Sequence, residues 1–216
     1  MTVLDTSVAH YPVLMELDPN AAQTAAAPTL APGYHFEPWD ERYREPWVRL
    51  HVVLGQLDSF DAGLAYFEKT YEAYPSELQR QMLLVCDGSG KLAGTSSVWR
   101  GEHFGETRLR VHWVGVDPAH QRRGLARSLM LRTIALYNEL ESAPAALRAK
   151  GIDPAPLYLT TQTESWVAIG IYLRLGFDFY RGPKPPRFDA RAATWNEDCA
   201  EAERIARAKL DATSAL

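Results

Sequence analysis

The sequence has few cysteines and lacks any long apolar run. Its 216 residues include two cysteines, Cys86 and Cys199, which argues against a disulfide scaffold or a cysteine-based zinc site. A membrane-spanning helix needs about 20 consecutive apolar residues, and no segment of the sequence provides them. The first residues lack a basic region and contain interrupting acidic side chains, so we expect no signal peptide. These absences favour a cytoplasmic protein without a membrane partner.

An excess of basic charge is also missing. Lys and Arg number 23 against 27 Asp and Glu, which gives a net charge of -4 and a pI of about 5.9. Nucleic-acid-binding domains usually carry a basic excess, so we expect no nucleic-acid partner. The six histidines are scattered without the spacing typical of metal ligands, and we therefore expect no metal site.

The order of the predicted elements defines a fold class. Residues 19–33 are rich in Ala, Pro and Thr and carry no charge, which favours a linker or an extended arm over a core element. From Tyr34 the pattern reads β-α-α-β-β-β-α-β-α-β, which predicts a mixed α/β sheet with helices on its faces. We therefore expect an N-terminal arm over residues 1–33, one domain over 34–182 and an extension with a polar helix over 183–216.

The segment "VGVDPAHQRRGLARSLM", residues 114–130, begins like a strand and ends like an amphipathic helix. The first N–H groups of a helix have no intrahelical partner and lie at the positive end of its dipole, so such a turn can bind an anion. Gly124 allows a close approach of ligand and backbone, and Arg122, Arg123 and Arg127 add positive charge. The segment thus predicts a phosphate or pyrophosphate site, and the alternative is an ordinary helix start with surface arginines. It matches neither the Walker A nor the dinucleotide-binding glycine pattern.

The same segment resembles the acetyl-CoA-binding motif [QR]-x-x-G-x-[GA] of the GNAT superfamily of N-acetyltransferases. Gln121, Gly124 and Ala126 stand at its three fixed positions, and the preceding V-D-P is also similar to the family. The element order over residues 34–182 is similar to the family order as well.

A second family signature, N-x-x-A-x-x-x-Y-x-x-x-G-F, resembles the later stretch "SWVAIGIYLRLGFDFY". Four residues match it, namely Ala168, Tyr172, Gly176 and Phe177. Ser165 replaces the asparagine of the signature, and we expect it to cap the following helix.

The resemblance implies a GNAT-type mixed, mostly antiparallel sheet with splayed central strands, flanked by helices. It also implies acetyl-CoA as the cosubstrate. The main chain of Val114 and Val116 would bind the pantetheine arm, and Gly115 suits either a bulge or tight packing beneath a large side chain. The pyrophosphate would be held by the backbone amides of Arg122, Arg123, Gly124, Leu125, Ala126 and Arg127.

Acetyl transfer to an amine needs a base for the amine, a donor to the developing oxyanion and a proton for the thiolate. The resemblance implies that Tyr172 gives the thiolate its proton, and the alternative is that Tyr172 is a core aromatic. The N–H of Val114 is the expected donor to the oxyanion. His112 is the candidate base, with a histidine satisfied by its neighbours as the alternative. Alternation along residues 107–116 places Trp113 on the strand face opposite to His112. Further base candidates are Glu102, His103, Glu106, Arg110 and Glu164, and water alone can serve.

These observations lead us to expect an acetyl-CoA-dependent N-acetyltransferase that acts on a primary amine of a small molecule or a peptide by direct transfer. The alternatives are an acyltransferase with another acyl-CoA or acceptor atom, and a non-catalytic acyl-CoA sensor. A homodimer is compatible with the two appendages, and the sequence leaves the oligomeric state open. The connection over residues 141–156 either borders the active site or is a surface excursion.

Overall fold

The computed structural model describes residues 4–141 and 152–214. Ten residues of the long connection, 142–151, thus lie outside the described residues. The strands are β1 (Pro12–Leu17), β2 (Tyr34–Glu37), β3 (Met82–Asp87), β4 (Leu92–Gly101), β5 (Thr107–Val116), β6 (Ile152–Gln162) and β7 (Phe177–Phe179).

The helices include the two that carry the predicted motifs. They are α1 (Pro19–Thr24), α2 (Arg44–Val53), α3 (Phe60–Phe67), α4 (Pro75–Gln81), α5 (Leu125–Glu141), α6 (Trp166–Arg174) and α7 (Trp195–Ser214). A π-helical segment, Glu68–Glu72, directly follows α3. Short 3-10 turns precede α2, α5 and α6.

The chain divides into two compact units. The first comprises Ala26–Val98 and His112–Leu136, and the second comprises residues 4–25, Trp99–Val111 and 137–214. The strand order is β2-β3-β4-β5 in the first unit and β4-β5-β6-β1-β7 in the second, since each unit contains part of β4 and part of β5. The predicted fold class, a mixed and mostly antiparallel sheet with helices, is therefore confirmed.

Strands β5 and β6 form the parallel pair of this sheet. Among the described residues their register pairs run from Thr107 with Ile152 to Arg110 with Tyr158, with a shift between Arg108 and Arg110. Pairing thus covers only the first residues of β5, as expected for a strand pair that splays.

The first unit has an aromatic core beneath helices α2 and α3. The side chains of Trp47, Phe67 and Tyr71 are completely buried, and the Trp47 ring packs against the other two at 5.1 and 5.5 Å. Ser59 caps α3 by accepting a hydrogen bond from the Ala62 N–H at 3.2 Å. This packing fixes α3 and its π-helical extension against the sheet.

The second unit contains a strand that the sequence analysis missed. Strand β1 pairs antiparallel with both β6 and β7, so the core begins well before Tyr34 and not at it. The acidic Glu16 lies within this strand, and Arg108 approaches its carboxylate to 3.9 Å. A partner distant in sequence therefore lets an acidic residue lie within a buried strand.

The two ends of α6 were predicted to have Ser165 as a capping residue and Gly176 as a closing residue. Gly176 has the left-handed φ of 92°, which confirms it as the residue that closes the helix. Ser165 occupies the N-cap position, but its hydroxyl makes no capping hydrogen bond, so that expectation was wrong. The preceding 3-10 turn gives Ser165 φ and ψ values of -92° and 26°, whereas a capping residue is usually extended.

The predicted polar helix of the C-terminal extension is confirmed as α7. Trp195, its first residue, packs in a buried cluster with Leu14, Tyr158 and Phe188. The extension thus contributes to the core of the second unit.

Candidate active site

The turn between β5 and α5 has an unusual backbone. Asp117 accepts a hydrogen bond from the Ala119 N–H at 2.8 Å and so starts a 3-10 turn. Arg122 and Gly124 then both adopt left-handed conformations, with φ values of 58° and 77°. Left-handed residues within a turn can direct successive N–H groups into one concavity, which suits an anion. We call residues 117–127 the anion loop.

The anion loop leads directly into the 17-residue helix α5. The Ser128 N–H donates to the Gly124 carbonyl at 3.0 Å, which is the first i→i−4 bond of this helix. The amides of Leu125, Ala126 and Arg127 therefore precede the helical bonding pattern. A Cβ built on Gly124 would meet nothing within 4 Å, so the loop is open at this residue.

Three arginines surround the anion loop. Arg122, Arg123 and Arg127 are exposed, and none of them forms an ion pair within the part of the chain that the structure describes. Many arginines elsewhere do have carboxylate partners, such as Arg44 with Glu72 at 2.7 Å. The loop therefore combines unpaired positive charge with unpaired backbone donors.

The predicted linker packs on the first turn of α5. The Ser128 hydroxyl donates hydrogen bonds to the carbonyls of Thr29 and Gly124. On the other side of the loop, the hydroxyl of Tyr34 lies 2.8 Å from His120 Nδ1, and the guanidinium of Arg123 lies 5.9 Å from the Tyr34 ring. The Ala- and Pro-rich segment and β2 thus hold the anion loop in place.

The end of β5 brings the expected pantetheine-binding residues next to the anion loop. Val114 and Val116 are buried, and the Gln121 amide donates to the Val116 carbonyl at 3.3 Å. A Cβ on Gly115 would lie 2.8 Å from Leu54 Cδ1 and 3.0 Å from His51 Cε1. Close packing therefore accounts for this glycine, and the cofactor contacts of all three residues stay predictions.

The irregularity in β5 lies at Trp113, which has a left-handed φ of 51°. This conformation breaks the alternation of the strand, so the expectation that Trp113 and His112 occupy opposite faces was wrong. Both side chains reach the hydroxyl of Tyr66, at 2.9 Å from Trp113 Nε1 and 3.0 Å from His112 Nε2. Strained backbone of this kind is concentrated at functional sites.

His112 is buried and lies between two tyrosines. Its Nε2 contacts the Tyr66 hydroxyl and its Nδ1 contacts the Tyr71 hydroxyl, each at 3.0 Å. The sequence analysis missed both tyrosines, because neither lies in a motif and both are far from His112 in sequence. The role of His112 as base stays a prediction.

Tyr172 belongs to the second unit. Its side chain is 4% exposed, and its ring centroid lies 6.0 Å from that of Phe177. Burial raises the pKa of the phenol, so the hydroxyl keeps its proton at neutral pH. Burial thus makes this phenol a weaker acid than an exposed tyrosine, and its role in catalysis stays a prediction.

The other base candidates are engaged in contacts of their own. Glu102, Glu106 and Glu164 pair with Arg187, Arg108 and His10, respectively. The ring of His103 lies 3.0 Å from the Tyr158 hydroxyl, and burial lowers the pKa of the imidazole to about 4. These pairings make each group a less available proton acceptor.

The described residues contain no group of three or more His, Cys, Asp or Glu side chains that could hold a metal ion. Among these same residues, no helix combines the length and the apolar character needed to cross a membrane. Both cysteines are free thiols. Cys86 is buried in β3, and Cys199 is half-buried in α7.

Comparisons with known proteins agree with this geometry. Residues 79–178 match the model of the acetyltransferase (GNAT) domain. A GCN5-related N-acetyltransferase from Sphaerobacter thermophilus shares 20% identity at a TM-score of 0.56, over 79% of this chain and 49% of its own. A tandem GNAT protein from the clavulanic acid biosynthesis pathway shares 18% identity at a TM-score of 0.54, over 79% of this chain and 50% of its own.

The chain spans about half the length of these two solved structures, and at this identity they establish the fold alone. No curated relative matches the chain. The matched residues contain the anion loop, β5 and Tyr172, which are the features that the two sequence motifs define. Residues 79–178 are therefore identified as a GNAT acetyltransferase domain.

Proposed function

We propose that the chain is an acetyl-CoA-dependent N-acetyltransferase that transfers the acetyl group directly to a primary amine of a small molecule or a peptide. The observation that carries this proposal is the anion loop. Its left-handed Arg122 and Gly124, the first amides of α5 and the three unpaired arginines suit the diphosphate of coenzyme A.

The residues that follow from this assignment have distinct tasks. The main chain of Val114 and Val116 would bond the pantetheine arm, and the Val114 N–H would donate to the carbonyl oxygen as negative charge develops on it. Tyr172 would supply the proton that the departing thiolate needs. Burial raises the pKa of this phenol, so the hydroxyl is protonated at neutral pH before the reaction.

Calorimetric titration with acetyl-CoA tests the binding part of the proposal. Gly124→Glu should raise the Kd by about 100-fold or more, because it places a carboxylate and a strained L-residue where the diphosphate binds. Gly90→Glu is the matched control, because Gly90 has a similar φ of 82° and equally open surroundings in the β3–β4 hairpin. Equal affinities in the two variants would overturn the assignment of the loop.

A thiol-release assay with a panel of primary amines tests the reaction itself. We expect release of coenzyme A from acetyl-CoA with at least one amine, and a lower kcat in Tyr172→Phe with an unchanged Kd for acetyl-CoA. Tight binding without release on any acceptor would show a binding protein, and release only from a longer acyl-CoA would show a different acyl specificity. Full turnover in Tyr172→Phe would remove Tyr172 from the mechanism.

A further inference from the structure

A connected set of polar side chains lies within the first unit, around His112. It includes Tyr66 on α3, Tyr71 on the π-helical segment and Ser97 on β4, together with Trp113. The sequence assigns no role to the two tyrosines. Tyr71 and Ser97 are completely buried, whereas the Tyr66 side chain is half-buried. The set therefore extends from the buried core to a tyrosine that is partly exposed.

The hydrogen bonds within the set are compatible with the following arrangement of protons. The Ser97 hydroxyl donates to the His112 carbonyl at 3.1 Å, so at the 3.3 Å contact with Tyr71 it must accept. Tyr71 therefore donates to Ser97 and accepts from His112 Nδ1–H. A neutral imidazole carries one proton, so Nε2 is then an acceptor and receives the proton of the Tyr66 hydroxyl.

Trp113 completes the surroundings of Tyr66. Its indole N–H can only donate, and it lies 2.9 Å from the Tyr66 oxygen. A phenol oxygen has two acceptor positions, so one remains for a further donor. Tyr66 thus donates toward His112, accepts from Trp113 and can accept one proton more.

Two departures from regular backbone produce this arrangement. The left-handed φ of Trp113 brings the side chains of two consecutive residues of β5 to the same hydroxyl. The π-helical turn Glu68–Glu72 widens the helix after Phe67, so that Tyr66 and Tyr71, five residues apart, contact the same imidazole. Turns of this type are frequent at functional sites. The two irregular segments thus meet at His112.

We infer that Tyr66 is the acid–base residue for the acceptor amine and that His112 acts through it as a positioning residue and proton store. This inference rests on the proposed function and names the catalytic group within that same site. Tyr66 contacts the two residues that directly precede Val114, whose N–H is the expected oxyanion donor. An amine that attacks a thioester held at Val114 would then approach near the Tyr66 hydroxyl.

The proton movements of this step balance. An ammonium acceptor donates one N–H proton to the Tyr66 oxygen while the Tyr66 O–H proton moves to His112 Nε2. The amine regains its lone pair for attack, and the imidazole becomes an imidazolium that still donates through Nδ1 to Tyr71. After the transfer, the extra proton returns from His112 through Tyr66 to solvent. The acceptor class that needs this device is an amine that is protonated at neutral pH.

Replacement of Tyr66 by Phe tests the inference, because the ring stays and only the hydroxyl is lost. With a strongly basic amine we expect kcat/KM to fall by about 10²- to 10³-fold, while the Kd for acetyl-CoA stays unchanged. Tyr74→Phe removes a hydroxyl from the same stretch of chain, in a partly exposed side chain, and should retain the parent activity.

An acceptor amine that is neutral at the assay pH separates acid–base catalysis from a structural role. With such an amine the loss in Tyr66→Phe should shrink to less than about 10-fold, since no proton must be removed before attack. In the pH profile, the rate of Tyr66→Phe should follow the ionisation of the amine itself. The contacts of His112 include the titratable Tyr66 and Tyr71, beside Ser97 and Trp113.

His112→Asn provides a second test that leaves Tyr66 in place. The same loss with basic amines and the same recovery with neutral amines are expected. If the parent enzyme releases thiol but Tyr66→Phe and His112→Asn are as active as Tyr74→Phe, this inference is overturned while the proposed function stands. If the parent releases no thiol with any amine, the proposed function itself fails.

Discussion

The anion loop and the polar set around His112 both contain left-handed residues, but these residues have different effects in the two regions. In the anion loop, Arg122 and Gly124 turn backbone amides and exposed cations outward, and the described residues leave those charges without carboxylate partners. Around His112, the left-handed Trp113 turns neutral groups toward one another, and hydroxyls occupy both nitrogens of the ring.

The difference separates two kinds of functional site. An anion is bound by donors and charges that are unsatisfied before the ligand arrives, so such a site contributes little to folding. A proton moves through groups that already share hydrogen bonds, and a buried set of this kind stabilises the fold while it serves chemistry. Substitutions in the two regions should therefore separate ligand affinity from stability.

Among the substitutions that separate affinity from stability, the largest effect is expected when all three arginines of the anion loop, Arg122, Arg123 and Arg127, are replaced by alanine. The affinity for acetyl-CoA should fall by about 100-fold, or ~3 kcal/mol, because each substitution removes a guanidinium that makes a charge-assisted contact with phosphate. The free energy of unfolding should stay within about 1 kcal/mol of the parent, since exposed and unpaired side chains contribute little. Titration at several salt concentrations and urea unfolding measure both quantities, and a large stability loss would contradict the comparison.

The reverse pattern is expected for His112→Leu. This change leaves the hydroxyls of Tyr66 and Tyr71 without their shared partner, so the free energy of unfolding should fall by roughly 2–3 kcal/mol. The Kd for acetyl-CoA should not change. His35→Leu is the matched control, because His35 is an exposed histidine on β2 and its loss should cost less than about 0.5 kcal/mol. Equal stability of the two variants would show that the polar set is not structural.

Much of the anion loop could be predicted from the sequence because its determinants are local. A strand end, a turn, Gly124 and the start of α5 are contiguous, and each residue acts on its near neighbours. Strand β5 was predicted at its observed bounds, Thr107–Val116, for the same reason.

The set around His112 could not be predicted in this way. Its contacts depend on the conformation of Trp113 and on the π-helical turn, and both follow from packing between distant segments. Strand β1 was missed for a related reason, since its pairing with β6 and β7 joins segments that are distant in sequence. Patterns of residue type report such distant pairings poorly.

Acid titration should sharpen the contrast further, because the first unit also buries a neutral histidine. Burial lowers the pKa of His51 to about 3, and its ring packs between Trp47 and Trp113 at 4.2 and 4.9 Å. In the unfolded chain His51 binds a proton near pH 6.5, whereas in the folded chain it binds one only near pH 3. The free energy of unfolding therefore decreases as the pH falls from 6.5 toward 3. This histidine alone should lower the free energy of unfolding by about 2 kcal/mol between pH 7 and pH 5.

Urea unfolding of His51→Gln at both pH values checks this expectation. The variant should show a smaller pH dependence than the parent, by the same amount of about 2 kcal/mol. An unchanged pH dependence in His51→Gln would mean that another group dominates the acid sensitivity.

The smallest effect is expected for Trp113→Phe, which keeps an aromatic ring in β5 but removes the N–H that donates to Tyr66. The free energy of unfolding should fall by about 1 kcal/mol, the usual net contribution of one hydrogen bond. Trp195→Phe removes an indole N–H of similar geometry, 3.0 Å from the Gly182 carbonyl in the second unit, and should cost about the same stability. Only Trp113→Phe should also lower kcat for a basic amine, by a few-fold, because Tyr66 then loses the donor that holds its hydroxyl in place. If both variants lost stability alike and neither lost activity, Trp113 would belong to the fold and not to the proton path.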